Sequence, residues 1–164
     1  MIDGMGSFRI DIEIENNTAP SVRRELRSVL VDTGAELSCF PASLLDELGI
    51  ERRVKRRFRQ ADGSVLERWT GPASIYAAGA WTVDQVIFGE SGDLMLLGSR
   101  SLQRLNLRVD PVAKRLTDGG PMPLAAAMRA KPQPSRGFMT GAALASFRPA
   151  DIAAGDPSVS IFAT

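Results

Sequence analysis

Apolar and polar residues alternate near the start of the chain: Phe8, Ile10, Ile12 and Ile14 are separated by Arg9, Asp11 and Glu13, and Glu15 follows. A period of two puts one set in a core and the other in water, which predicts a half-buried strand over residues 8–15. Asn16-Asn17-Thr18-Ala19-Pro20-Ser21 is rich in turn formers and ends it. The next segment runs to Val29-Leu30-Val31, where alternation is lost; a strand that is apolar on both sides is expected to be covered on both. Pro41 and Ala42 open a short helix with Leu44, Leu45 and Leu48 on one face, and Gly49 is placed to stop it. The β pattern then returns as a hairpin over residues 54–61 and 65–69, turning at Asp62-Gly63, a pair suited to tight turns. Strands are predicted at 73–77, 81–88 and 94–97. Gly98 ends the last of these, and Ser99 is suited to cap a short helix through residue 105. Residues 107–109 and 114–116 flank Asp110-Pro111 as a final hairpin. The pattern is that of an all-β domain with one or two short helices.

It stops near Asp118. Of the 46 positions from 119 to 164, 22 are Ala, Pro or Gly, and so few large side chains cannot offset the entropy of ordering the backbone. A folded domain over residues 7–118 and a mostly disordered tail over 119–164 are expected, with residues 124–129 and 141–147 the places where the tail would form helical turns. No apolar run approaches membrane-spanning length, and the N-terminus lacks the basic start and apolar stretch of a signal peptide. A soluble, cytoplasmic protein is expected.

Composition then narrows the chemistry. The chain contains no histidine and one cysteine, Cys39. That excludes Ser-His-Asp and Cys-His catalysis, imidazole metal sites, an intrachain disulfide and a cysteine-rich metal cluster. Twenty Lys and Arg against 19 Asp and Glu leave a net charge of +1, with no global attraction to nucleic acid or anionic membrane. An enzyme of this composition must draw its acid and base from carboxylates, lysine, tyrosine or water.

Asp32-Thr33-Gly34-Ala35 follows directly on the apolar strand ending at Val31. A carboxylate at the end of a buried strand costs desolvation energy unless it is hydrogen-bonded or paired. Gly34 permits close backbone approach, and Thr33 offers a hydroxyl to lock one. The alternative reading of the tripeptide is a plain strand-ending turn. Its surroundings decide between the two. Val29-Leu30-Val31-Asp32-Thr33-Gly34-Ala35-Glu36 resembles the active-site loop of retropepsin-like aspartic proteases. The Pro and Leu-rich helix ending in Leu48-Gly49-Ile50 is similar to that of bacterial single-domain members. The hairpin at Ala61-Asp62-Gly63 resembles their flap, and Leu94-Met95-Leu96-Leu97-Gly98 resembles the strand that packs behind the catalytic loop. Leu107-Arg108-Val109-Asp110 fits the family's ending. The resemblance spans residues 7–117 in order.

The resemblance implies an acid-protease barrel and a dyad of two aspartates sharing one proton, since like charges about 3 Å apart cannot both ionise. One such motif per chain is half a dyad; neither Asp62-Gly63-Ser64 nor Asp118-Gly119-Gly120 has the right order. It therefore implies a homodimeric aspartic endopeptidase with Asp32 catalytic, Thr33 bonding across the two-fold axis, Gly34 and Ala35 in the active-site loop, Ala61, Asp62 and Gly63 in the flap over a peptide substrate, and Leu97 and Gly98 supporting the loop. No cofactor or metal is implied. A catalytically silent dimerisation or peptide-binding module of the same fold is the alternative. Viral members carry an arginine immediately after the supporting glycine; here Ser99 intervenes before Arg100, and Glu36 is its candidate partner. Asp62 near the cleft suggests basic or polar substrates.

Residues outside these motifs receive plainer readings. Six of the nine residues from 51 to 59 are basic; the expectation is a solvated hairpin arm with Val54 and Phe58 turned inward, contact with phosphates being the alternative. Nucleic acid is not expected as a partner. Cys39 is read as a small buried hydrophobe, Trp69 and Trp81 as hairpin and core residues, and Asp84, Glu90 and Asp93 as scattered acids without metal-ligand spacing. Gly137-Phe138-Met139-Thr140 is read as part of a passive linker or disordered tail, with self-trimming the alternative because its large apolar side chains suit an extended protease substrate.

Overall fold

A computed structural model describes residues 7–20 and 22–123. The turns expected at 124–129 and 141–147, the Gly137–Thr140 stretch and all but the first five positions of the tail lie outside the described residues.

Among the described residues nine strands and two short helices follow one another as β1 (Phe8–Glu15), β2 (Arg24–Asp32), β3 (Cys39–Pro41), α1 (Ala42–Glu47), β4 (Val54–Arg59), β5 (Val65–Ala77), β6 (Ala80–Gly89), β7 (Leu96–Gly98), α2 (Ser99–Arg104), β8 (Leu107–Asp110) and β9 (Arg115–Asp118). Seven strands form one sheet in the order β1-β2-β7-β3-β6-β5-β4, and β1 also pairs with β5. That last pairing closes six strands into a ring, with β4 left outside on β5. Closing a sheet removes its exposed edges and encloses a core. Ile14, Val29, Phe40, Leu45, Ile75, Val86 and Leu97 fill it with no or almost no exposure. The fold is thus all-β with two short helices, as the pattern predicts.

Phe8, Ile12 and Ile14 are buried as the alternation requires, and Ile10 is only half-buried. The register between β1 and β2 shifts between Ile10 and Ile12. Ser28 has φ 58 at that shift, and its N–H donates to Asp11 Oδ1 at 2.9 Å. One extra residue in β2 relieves the alternation there.

Three local expectations are corrected. The strands expected at 65–69 and 73–77 are one strand. Its first half pairs with β4, from Val65 opposite Arg59 to Thr70 opposite Val54, and its second half pairs with β1 through Ser74–Tyr76. Gly71 and Pro72 lie at the exchange of neighbours, where a missing N–H is tolerated. Gly71 is also where the backbone of Glu51 presses in: an added Cβ would lie 2.1 Å from the Glu51 carbonyl oxygen. Gly71→Ala is therefore expected to destabilise the fold by about 1–3 kcal/mol, read as a lowered urea midpoint. Second, Gly98, not Ser99, is the N-cap of α2, with no side-chain cap bond; the helix's first N–H groups bond elsewhere, as described below. Third, Trp69 and Trp81 are 40% and 57% exposed. Trp81 lies tilted against Tyr76 with ring centroids 6.3 Å apart, so neither tryptophan is a core residue.

Among the described residues no helix is long and apolar enough to cross a membrane.

Candidate active site

β2 carries Asp32 to the end of the barrel as its last residue. It runs parallel to β7 with Leu30, Val31 and Asp32 opposite Leu96, Leu97 and Gly98. A buried strand has to end where its first charged side chain can reach polar partners, and Asp32 does so at half-burial. Its Oδ1 accepts the Gly34 N–H at 2.9 Å, and its carbonyl accepts the Ala35 N–H at 3.3 Å. A Cβ on Gly34 would stand 3.2 Å from that Oδ1, so glycine keeps the carboxylate clear. Thr33 and Gly34 are exposed, and Ala35 is half-buried. The Thr33 hydroxyl makes no hydrogen bond with another described residue.

The loop rests on β7 and α2. Ser99 N–H donates to the Ala35 carbonyl at 2.8 Å and Arg100 N–H to the Glu36 carbonyl at 3.1 Å; these carbonyls serve the start of α2 in place of a capping side chain. Gly98 is a contact point: an added Cβ would lie 2.7 Å from the Leu37 carbonyl carbon and 3.0 Å from the Ala35 oxygen. Leu97 is fully buried beneath. The structure thus brings Asp32, Thr33, Gly34, Ala35, Leu97 and Gly98 into one assembly.

A buried polar chain ties this assembly to β6. Gly98 N–H donates to Ser38 Oγ at 3.0 Å, Ser38 and Ser101 hydroxyls lie 2.6 Å apart, and Ser101 Oγ donates to Asp84 Oδ2 at 2.9 Å. Ser101 has one proton and gives it to the carboxylate, so Ser38 is the donor to Ser101 and the chain runs in one direction. Asp84 Oδ1 accepts from Gln85 N–H at 2.7 Å and Arg100 Nε at 3.0 Å, with Arg104 Nε at 3.3 Å. The Asp84 side chain is 1% exposed.

Two sequence readings change here. Arg100 does not pair with the Glu36 carboxylate; its guanidinium goes to Asp84, and only its backbone meets Glu36. Asp84, read as a scattered acid, is the buried anchor of the site. The signal was present in β6, because Asp84, Val86 and Phe88 are buried in phase with one another. An acid in step with apolar core positions is buried, and a buried carboxylate needs cations or donors.

The Ala61-Asp62-Gly63 turn is exposed, and so are most residues of both its arms. Gly63 has φ 86, which glycine supplies without strain. Asp62 Oδ1 accepts both the hydroxyl and the N–H of Ser64, at 2.6 and 2.8 Å. These bonds, the hydroxyl first, hold the Asp62 carboxyl below the ordinary carboxylate range. The charge is therefore spent inside its own turn. Among the described residues no hydrogen bond or ion pair links this turn to Asp32.

The hairpin is anchored at its base. Arg68 grips Asp93 through two bonds, Nε to Oδ2 at 2.7 Å and Nη2 to Oδ1 at 3.1 Å. Asp93 Oδ2 also accepts the Glu90 N–H at 2.8 Å. The Arg68 bond, foremost, holds the Asp93 carboxyl below its usual value. A depressed folded-state value means stability that is present above the unfolded value of about 4 and is lost as pH falls through the folded one. Wild type should thus lose more melting temperature than Asp93→Asn on acidification below about pH 4. Equal losses would show that the Arg68–Asp93 contact is silent.

Cys39 is buried, and burial, with Asp93 adding to it, pushes its thiol up to about 12; it is no nucleophile at neutral pH. Among the described residues no three Asp, Glu, Cys or His side chains gather as a metal site. A cleft of about 570 Å³ lies elsewhere, bounded by Asp11, Glu13, Arg23, Tyr76 and Trp81 among others and by no residue of the Asp32 loop. It is largely self-satisfied: the Arg23 guanidinium sits 3.7 Å from the Tyr76 ring centre and 3.5 Å from Glu13, and Tyr76 donates to Glu15 at 2.7 Å.

The family model described as "gag-polyprotein putative aspartyl protease" matches residues 22–104, from the approach to β2 to the end of α2. No curated protein matches the chain.

Proposed function

The chain belongs to the retropepsin-like aspartyl protease family, and from that premise we propose that it is a homodimeric aspartic endopeptidase in which Asp32 of each of two copies forms the dyad. The observation that carries the reading is the position of Asp32: a half-buried carboxylate at the tip of β2, with one oxygen held by Gly34 N–H and the loop braced from below by β7 and α2. A carboxylate held this way keeps its other oxygen for a second group. Two of them across a two-fold axis share a proton, one taking a proton from water as the other gives one to the scissile carbonyl.

The other assignments follow from this reading. The exposed Thr33 hydroxyl bonds across the axis to its counterpart. Gly34 and Ala35 border the bound peptide, and Ala61, Asp62 and Gly63 close over it as the flap. Leu97 and Gly98 support the loop. The catalytic subunit is residues 7–118, with 119–164 as an appended tail.

One chain carries one Asp-Thr-Gly motif, so the test is concentration. Initial cleavage rates of unfolded casein are expected to rise with the square of protein concentration below the dimer dissociation constant and linearly above it, with sedimentation velocity reporting the same midpoint. Activity from a strict monomer would overturn the dyad. A dimer with no cleavage at any pH would assign the fold to a silent peptide-binding or dimerisation module.

A further inference from the structure

The basic hairpin contains a feature the Asp32 chemistry does not use. β4 pairs with β5 alone, so its other edge is open among the described residues. The Gln60 N–H to Ser64 carbonyl bond sets the phase of the ladder, and the register runs unbroken from Arg59–Val65 to Val54–Thr70. In that phase Arg56 and Phe58 exchange bonds with β5, and Lys55, Arg57 and Arg59 turn their backbone N–H and C=O groups outward. The side chains of the same three residues share one face at a spacing of about 7 Å, and Arg56 occupies the other. All four cations are exposed.

Their neighbours are neutralised: Arg52 by Asp46 at 2.7 Å, Arg53 by Glu51 at 3.0 Å, Lys55 by Glu67 at 3.4 Å and Arg68 by Asp93. Arg56, Arg57 and Arg59 have no ion pair or side-chain hydrogen bond with any described residue. From residue 54 to 70 five cations face two anions, and one of those anions, Asp62, is already bonded within its turn.

We propose that the open edge of β4 recruits an extended, acidic polypeptide segment, which adds as a further strand along residues 55–59 with its alternating carboxylates against Arg57 and Arg59. Strand addition satisfies the outward backbone groups, and opposite charges directly across a ladder add to the pairing. A nucleic acid answers the charge alone and leaves those backbone groups to water. A second copy of β4 is ruled out by like charges, the usual protection of an open edge. The segment's intervening side chains fall on the other face, that of the half-buried Phe58. The surface thus favours acidic partners, opposite to what Asp62 suggests from sequence. It requires neither the dyad nor cleavage.

Binding, not activity, tests it. The full chain carrying Asp32→Asn, which cannot consume the probe, is titrated against fluorescein-labelled peptides of alternating Glu-Val, Glu-Pro and Lys-Val and against an oligothymidylate, with anisotropy as the readout. The Glu-Val peptide is expected to bind, and Glu-Pro, equal in charge but unable to form a strand, to bind about tenfold more weakly or not at all. Lys-Val should not bind. Arg57→Glu/Arg59→Glu should weaken Glu-Val by about tenfold or more, and Arg57→Gln/Arg59→Gln by less. Equal binding of Glu-Pro and Glu-Val overturns the added strand. Tighter binding of oligothymidylate than of Glu-Val assigns the edge to nucleic acid and overturns the proposal. Indifference to both double variants, each confirmed folded by circular dichroism, overturns it as well. Because cleavage is never measured, failure here leaves the proteolytic reading standing, and failure of that reading leaves this one.

Discussion

Asp32→Asn is expected to lower cleavage of unfolded polypeptide by about 10²–10⁴-fold, the range spanned by loss of a general acid or base. The fold should not register the change. The contact Asp32 makes is acceptance of the Gly34 N–H at 2.9 Å by Oδ1, and the asparagine carbonyl oxygen accepts it equally well. The half-buried site also loses a charge without losing volume. Melting temperature and sedimentation should therefore match wild type while activity disappears. A mixing experiment is sharper still. If each active site needs an Asp32 from both copies, equal amounts of wild type and Asp32→Asn, allowed to exchange subunits, retain about a quarter of the activity. Retention of half would mean that each copy works alone.

Asp84→Ala should have the largest effect on stability, about 2–4 kcal/mol. That is a large part of the 5–15 kcal/mol available to a domain of this size. The substitution removes the acceptor for the Ser101 hydroxyl, the Gln85 N–H and the Arg100 guanidinium together. Arg100 is partly exposed and recovers water; Ser101, which is fully buried, does not, so the cost is concentrated on the serine chain. Because that chain ends on Gly98 N–H, opposite Asp32 in the β2–β7 register, activity should fall beyond what unfolding explains. Asp84→Asn keeps the acceptor for Gln85 but removes the charge facing Arg100, and should lie between wild type and Asp84→Ala. Urea midpoints measure the first effect, and cleavage rates well below the transition measure the second. Midpoints of all three proteins within error would show that the chain from Gly98 to Asp84 does not hold the site.

The period of two in β1, the apolar run before Asp32, the Gly49 stop and the Asp62-Gly63 turn were each legible in sequence because each is a local rule. The three residues of β3 were not legible as a strand. They are too few to show a period, and they become one by lying beside β6 and β7. The continuity of β5 through Gly71-Pro72 was hidden for a related reason: two turn-forming residues read as a break unless the strand changes neighbours there. The Arg100 partner was not legible because the family pattern points to the acid just beyond the Asp-Thr-Gly triplet, Glu36, whereas the fold places the Asp84 carboxylate of β6 against the Arg100 guanidinium.

By itself the sequence determined the fold class, the position of the half-buried Asp32 carboxylate and the chemistry open to a chain without histidine. Periodicity, turn residues and composition are properties of short segments, and they need no partner to be expressed. Only the tertiary structure decided that the barrel closes through β1 and β5, that Asp84 anchors the site, and that three arginines of the basic run have no ion pair among the described residues and lie beside an edge that none of those residues covers. Those outcomes depend on which segments meet across the core and which cations find an acid there. Burial decides this, because a charge taken out of water must be answered by whatever side chain the fold brings to it.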